Sequence, residues 1–377
     1  MQGDIPYWGA NSIQDYVDAA LVTGPTVLIG EDGAPFFDRT KPVAFFVDEP
    51  IWPNNHIHVL KMRKGVDPRW LTYALNCVDY SRWITGSTRD KLTQGDLMQI
   101  AVPGVDVAEQ RAIADFLDRE TAQIDAMIEA QGELVDRLEE RKAAISTSII
   151  WGSGAEGGKK VIEPAPEVPE HWQVLRNKFV YQESDELSSA DDGELLTVSH
   201  ITGVTLRSEK VVTMTEAEST EGYRVVRLND LVINTLWGWM GALGVSSLNG
   251  IVSPAYGVYR PTIAGVDPTF MHHLYRSAPY VCEIGRRSTG IWSSRLRIYP
   301  KTFLDMPTIL PPLDEQHAIG SRLADATRGM NTLISAATRA IALLQERRSA
   351  LVSAAVTGRI DPRIGRETVA DKALESA

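Results

Sequence analysis

One long-period duplication constrains this chain more than any other feature. Glu109-Gln110 reappears as Glu315-Gln316, 206 residues later, and the same offset then holds without a gap for over forty positions. It pairs Ile113 with Ile319, Leu117 with Leu323, Thr121 with Thr327, Ile128 with Ile334 and Leu138 with Leu344. It also pairs Glu140-Arg141 with Glu346-Arg347, and Gly152 with Gly358. A solenoid stacks several short units, so a long period present only twice is a different architecture. It predicts a two-part module used twice, each a globular region followed by a long helix, with a pseudo-twofold relation between the copies.

The helices carry their own signals. Apolar or small residues fall at 113, 117, 124, 128, 135, 138 and 145, and again at 319, 323, 330, 334, 341, 344 and 351. Spacings of three, four and seven are the seam of a coiled coil. Asp106 with Glu109 suits a capping box, Pro311-Pro312 pre-sets the second helix start, and Gly152 and Gly358 suit the two ends. A helix from Ala108 to Ile149 would be about 63 Å long at 1.5 Å per residue. Two ordinary amphipathic helices on separate domains are the plainer reading, but two matched seams favour helices that pack on each other. Charge agrees. Residues 106–150 hold 5 basic and 11 acidic groups, and residues 314–359 hold 6 basic and 4 acidic. Opposite flanks favour pairing of the two helices over self-pairing.

The chain's net charge of −11 argues at first against a nucleic-acid partner. The distribution removes most of that objection, because over half of the excess sits on the first helix. The globular parts are locally basic. Residues 61–91 carry seven cations against three anions, and so do residues 260–305, each stretch lying just before its helix. Inside them run Thr85-Gly86-Ser87-Thr88-Arg89, followed by Lys91, and Arg286-Arg287-Ser288-Thr289-Gly290-Ile291-Trp292-Ser293, followed by Arg295 and Arg297. Hydroxyls, backbone amides and guanidinium groups are what phosphate positioning and major-groove base reading require. A solvated basic loop is the bland alternative, and its duplication at equivalent places weakens it. The DNA-contacting candidates are therefore Thr85, Ser87, Thr88, Arg89 and Lys91 in the first copy. In the second they are Arg286, Arg287, Ser288, Thr289, Trp292, Ser293, Arg295 and Arg297.

Short strands bounded by Gly, Pro and Asp are predicted at Thr26–Ile29, Val43–Val47, His56–Leu60, Leu195–Val198 and Asp230–Ile233. Asp67-Pro68 and Asp267-Pro268 open helical stretches over Trp70–Val78 and Phe270–Ile284. The fold class is mixed α/β, of the α+β kind. The Gly-rich, then Pro/Glu-rich stretch 152–171 has linker chemistry. The expected divisions are a recognition region at 1–105, a central helix at 106–151, the linker at 152–171, a second region at 172–313, a second helix at 314–359 and a tail at 360–377.

Catalytic constellations are poorly represented. The glycines near Lys159 miss the phosphate-loop spacing, and no serine or threonine follows the lysine. His56 and His58, and His272-His273, lack further ligands at metal spacing, so no metal is expected. Cys77 and Cys282 are the only cysteines and are expected as free thiols in a reducing cytoplasm. No apolar run approaches the about 20 residues of a membrane span. Ser253-Pro254-Ala255-Tyr256 lacks the amide or carboxylate of an amino-methyltransferase motif, and Glu140-x-Lys142 lies on a helix surface.

The motifs taken together resemble type I restriction–modification specificity subunits. Pro311-Pro-Leu-Asp-Glu-Gln-His-Ala-Ile319, Leu344-Gln-Glu-Arg-Arg-Ser-Ala-Leu351 and Val356-Thr-Gly-Arg-Ile-Asp361 are similar to the family's second conserved region. Glu109-Gln-Arg-Ala-Ile-Ala-Asp-Phe-Leu-Asp118 with Leu138-Glu-Glu-Arg-Lys142 resembles the central one. Pro169-Glu-His-Trp172 resembles the start of a second target-recognition domain, and Ser253–Tyr256 a feature within it. The resemblance implies two target-recognition domains, each reading one half of a split site in double-stranded DNA, joined by an antiparallel coiled-coil spacer. It implies two docked methyltransferase subunits binding S-adenosylmethionine, and motor-nuclease subunits using ATP and Mg²⁺, with no cofactor on this chain. Glu133, Arg137, Arg141, Lys142, Glu346, Arg347 and Arg348 are the candidate partner contacts on the helix flanks. Against the family pattern, only four residues precede the first strand near Ile5, so an N-terminal segment is expected to be missing. A scaffold or anti-restriction decoy that binds partners without DNA is the alternative, and a stand-alone enzyme is disfavoured.

Overall fold

The computed structural model describes residues 3–84, 90–154, 157–162, 165–189, 193–210, 219–291, 296–363 and 366–367. The chain divides into two compact units, Met1–Val135 with Ser335–Ala377, and Asp136–Ile334. Each unit contains one globular region and parts of both long helices.

In the first unit the strand Thr26–Gly30 is central, antiparallel to Ala44–Val47 on one side and Ile57–Lys61 on the other. Its sequence TVLIG does not alternate, because both faces are covered. Val27 and Ile29 enter one cluster with Leu75 and Tyr80, while Leu28 enters another with Ile51 and Ile57. Helix α1 (Pro68–Asn76) lies against this sheet. The Asn76 side chain accepts from the Val43 and Ala44 amides at 2.8 and 3.0 Å and donates to the Ala44 carbonyl at 2.9 Å. A short helix α2 (Gln94–Leu97), capped by Thr93, precedes the long helix α3 (Val107–Ile150).

The second unit repeats this logic. Leu231–Asn234 is central in an antiparallel sheet ordered Tyr181–Glu183, Tyr256–Pro261, Leu231–Asn234, Leu243–Val245. Leu231 and Ile233 face one core and Val232 another. Phe270–Ile284, read from sequence as one helical stretch, is two helices, α4 (Pro268–Arg276) and α5 (Ala278–Arg287), parted at Ser277 in extended conformation. The cause is Pro279, which has no amide to donate and whose ring would strike the carbonyl four residues back in a continuous helix. Helix α6 (Pro300–Asp305) and the long helix α7 (Leu313–Val356) follow. Part of the stretch expected as a linker is ordered sheet: Lys159–Ile162 pairs antiparallel with Ala165–Pro169, and Val168 and Trp172 are buried in the core. Those apolar side chains outweigh the Gly/Pro/Glu composition around them.

The long helices start and end alike. Asp106 accepts from the Ala108 and Glu109 amides, both at 2.9 Å. Gly152 and Gly358 have φ of 77° and 75°, left-handed values that favour glycine. Past them Ser153 N–H reaches the Ser148 carbonyl at 2.9 Å, and Arg359 N–H the Ala354 carbonyl at 2.8 Å, the six-to-one closure of a Schellman end. In the first unit, Ile113, Ala114, Phe116 and Leu117 of α3 cluster with Val352, Ala355 and Val356 of α7. Further along α3, Asp125 takes a two-pronged bond from Arg348 at 2.8 and 3.2 Å, so the helices run antiparallel. In the second unit Ile149 and Ile150 of α3 share a core with Ile319 and Leu323 of α7. Every seam position read from the sequence is buried or half-buried. Among the described residues no helix is long and apolar enough to cross a membrane.

One glutamine joins each globular region to its helix. The tetrapeptide Gly-Val-Asp-Pro occurs at 65–68 and 265–268 and opens α1 and α4, with the aspartates as N-caps. Gln110, buried, accepts from the Asp67 amide at 2.8 Å and donates to the carbonyls of Val105 at 2.8 Å and Gly65 at 3.4 Å. Gln316, buried, accepts from the Asp267 amide at 2.8 Å and donates to Pro311 at 2.8 Å and Gly265 at 2.9 Å. These are the landmarks of the repeat, and their role is to fasten the turn onto the helix start.

Candidate nucleic-acid interface

Both basic segments meet the end of their unit's central strand in the same way. In the first unit the Glu31 carbonyl, just past Thr26–Gly30, accepts from the Leu92 amide at 2.7 Å, and Leu92 is fully buried. In the second the Thr235 carbonyl, just past Leu231–Asn234, accepts from the Ile298 amide at 3.1 Å, and Ile298 is buried. Leu92 and Ile298 are 206 residues apart, the helix offset, so Lys91 and Arg297 hold equivalent positions. The next residues, Thr93 and Tyr299, are the N-caps of α2 and α6.

The side chains at these matched positions differ. Lys91 Nζ lies 2.9 Å from the Glu31 carboxylate, which raises the lysine's pKa. Beside it Asp32 pairs with His56 at 2.8 Å, and His58 Nε2 bonds the Leu92 carbonyl at 2.8 Å. Arg297 instead donates through Nε to the neutral Thr235 hydroxyl at 3.1 Å and lies over the Tyr299 ring at 5.6 Å. Its backbone exchanges both hydrogen bonds with Thr289, each 3.0 Å. Helix α5 ends on Arg286 and Arg287, both bonded to the buried Glu283 carboxylate. Burial opposes charge on Glu283, yet the two guanidinium groups outweigh it and hold the carboxyl below its usual range. The Ser288 hydroxyl closes the helix by donating to the Ile284 carbonyl at 2.8 Å. Arg286, Arg287, Ser288, Thr289 and Arg297 are thus brought to one end of α5. Thr85, Ser87, Thr88, Arg89, Trp292, Ser293 and Arg295 lie outside the described residues.

Three cations counted in the basic stretches are internal ties. Arg69 binds Asp115 at 2.9 Å and Asp118 at 2.7 Å on α3. Arg260 forks onto the buried Asp230 at 2.9 and 3.0 Å. Arg276 donates to the carbonyls of Leu243, His200 and Ile201 at 2.8 to 2.9 Å, and burial lowers its pKa. Sequence reasoning also passed over the turn after Leu231–Asn234. There Trp237 and Trp239 stack with centroids 6.4 Å apart, and Leu236, Trp237 and Met240 are exposed. The signal was present as Leu-Trp-Gly-Trp-Met-Gly, a run too short and apolar to read as a loop by composition.

On the helix flanks, Glu133, Arg137, Arg141, Glu346 and Arg347 are exposed, and Lys142 pairs with Glu139 at 2.6 Å. Arg348 is committed to Asp125. Cys77 and Cys282 are free, and burial pushes the Cys77 thiol up to about 11. Among the described residues no group of His, Cys, Asp or Glu is arranged to hold a metal ion.

Comparison with known proteins bears directly on this arrangement. Residues 1–134, the first unit's globular region and much of α3, match the family model of the type I restriction modification DNA specificity domain. Over 122 residues the chain is 36% identical to a putative type I restriction enzyme specificity subunit of Haemophilus influenzae, a stretch that is 32% of this chain and 31% of that protein. The alignment thus spans about a third of that curated relative. A structure from work on complex assembly and conformational transition of the type I R-M system matches 88% of this chain and 81% of its own, with TM-score 0.58 and 15% identity. The crystal structure of the HsdS subunit from Thermoanaerobacter tengcongensis lies farther off, at TM-score 0.40, with 15% identity over 89% of this chain and 82% of that one. The mixed α/β fold of this chain is thus similar to that of the first of these structures.

Proposed function

We propose that this chain is the DNA-reading subunit of a type I restriction–modification complex in the cytoplasm and carries no catalysis of its own. The recognition regions are 1–105 and 172–313, each reading one half of a bipartite duplex site, and the helices at 106–151 and 314–359 set the spacing between halves. One observation carries the reading: a cation stands at the same place beside the central strand of each unit, at the offset that also relates the helices. Duplicated readers on a duplicated spacer suit a split site. The equivalent helix flanks offer two faces to one partner, so two methyltransferase subunits dock per chain, with Glu133, Arg137, Arg141, Lys142, Glu346 and Arg347 among the contacts. Those partners bring S-adenosylmethionine, and motor-nuclease subunits bring ATP and Mg²⁺. They also add basic surface, which offsets an acidic subunit, since affinity follows the summed local field.

Co-expression with a type I methyltransferase subunit from the same genome, followed by native mass measurement and methylation-sensitive sequencing, tests this. The expected results are two partners per chain and a methylated bipartite motif. A complex that assembles but methylates no motif and binds no duplex overturns DNA reading and leaves the decoy alternative.

A further inference from the structure

The turn from Thr235 to Gly241 is an exposed apolar knob in a basic setting. Leu236, Trp237 and Met240 are 42%, 49% and 39% exposed, on the turn that leads into and through the 3-10 segment Gly238–Met240. Soluble proteins seldom leave such a cluster facing water without a use for it. The knob is rigid. Trp237 N–H bonds the Asn234 carbonyl at 3.0 Å, Met240 N–H the Trp237 carbonyl at 3.0 Å, and Gly241 N–H the Gly238 carbonyl at 2.9 Å. It is also seated against the basic segment. A Cβ on Gly238 would come within 3.2 Å of Ile298, next to Arg297, and 3.7 Å of Ile284 on α5. Gly285, beside Arg286, faces the Trp239 carbonyl at 3.9 Å from its Cβ position. The knob therefore stands between Arg297 and the arginine-bearing end of α5.

We infer that Trp237 and Trp239 make apolar contact with thymine methyl groups in the major groove of the second half-site. This rests on the DNA-reading proposal above. The flanking arginines favour a phosphate-bearing partner over another protein. The choice of methyl groups follows from what the knob lacks. Trp239 already spends its indole N–H on the Leu236 carbonyl at 3.0 Å, Leu236 and Met240 have no strong donor, and Trp237 brings a single N–H on a large apolar ring. Among base edges in the major groove, the thymine C5-methyl is the group an apolar surface can recognise. At the matching turn of the first unit no tryptophan stands among the described residues; Glu31 and Asp32 follow the central strand there, paired with Lys91 and His56. Methyl discrimination by this knob therefore concerns the second half of the site.

The test uses the assembled wild-type complex and its bipartite duplex, with each thymine replaced singly by deoxyuridine, which removes only the methyl. One or two replacements in the second half-site are expected to weaken binding by roughly 3- to 10-fold, at or below the weak end of a bidentate base contact. The same replacements should leave Trp237→Ala unaffected, while replacements in the first half-site stay silent in both proteins. Uniform tolerance of deoxyuridine by the wild type, or a second half-site without thymine, overturns the inference while leaving DNA reading intact. Loss of methyltransferase docking in Trp237→Ala with methyl discrimination unchanged assigns the knob to a protein partner and also overturns it. Failure of the wild-type complex to bind any specific duplex removes the underlying reading as well.

Discussion

Lys91 and Arg297 occupy one backbone frame with two chemistries. Each precedes a buried residue whose amide bonds the carbonyl just past the central strand. Lys91 is neutralised by Glu31, whereas Arg297 rests on a hydroxyl and a tyrosine ring. The contrast extends to the turns beside them, two carboxylates in one unit and two tryptophans in the other. The frame is held by buried groups that the duplication preserves, and the exposed chemistry has diverged on top of it. A scaffold of this kind can read two unlike half-sites without changing its fold.

The frame can be broken at its fastenings. Gln316→Ala leaves the Asp267 amide and the Gly265 and Pro311 carbonyls without their partner, at a cost of about 2–4 kcal/mol. Gln110→Ala should cost nearly as much, with its Gly65 bond the longer at 3.4 Å. Urea denaturation of each variant measures both, and a loss confined to one glutamine would show that the units are not fastened alike.

Acidity should separate the units next. His272, on α4, has its pKa lowered to about 4, first by burial and then by Arg276 and His273. Above pH 6.5 the ring is neutral in folded and unfolded chains, so it contributes no pH dependence there. Between 6.5 and about 4 the unfolded chain takes up a proton that the folded chain refuses, and stability falls as pH falls. The corresponding place after the first Asp-Pro is Thr72, which does not titrate. Denaturation midpoints followed from pH 7 to 5 should drop, and His272→Gln should flatten the drop. An unchanged slope in that variant would contradict the assignment.

The smallest effect converts one site toward the other. Glu31→Gln frees Lys91 and should tighten DNA binding by roughly 0.2–1 kcal/mol on every sequence, the scale of an exposed ion pair. Titration of random-sequence duplex at low salt reads this general electrostatic gain, and no gain would mean that Lys91 does not face the duplex.

Much of this architecture was legible in the sequence. The 206-residue offset, the seam, the Asp-Pro helix starts and the glycine ends are local patterns, and local patterns survive without knowledge of partners. What was not legible depends on pairing at a distance. Counting charges could not show that Arg69, Arg260 and Arg276 are consumed by α3, Asp230 and loop carbonyls. Nor could it show that Glu283 would gather Arg286 and Arg287. The repeated Glu-Gln marked the duplication, but its function as a clamp needed the Gly-Val-Asp-Pro turn beside it. The hairpin of Lys159–Ile162 with Ala165–Pro169 was hidden because linker-like composition surrounds the few apolar side chains that order it.

The central claim is that each unit reads its own half of one DNA site. The most direct measurement is binding of the assembled complex to the cognate duplex and to duplexes altered in one half or the other, for wild type, Arg297→Ala and Lys91→Ala. Arg297→Ala should lose about 1–3 kcal/mol of discrimination in the second half-site and none in the first. Lys91→Ala should act on the first half alone, and more weakly. If both variants weaken both halves alike, the cations only hold phosphates and the halves are read elsewhere. If neither variant changes either half, the account of two readers on one frame is contradicted.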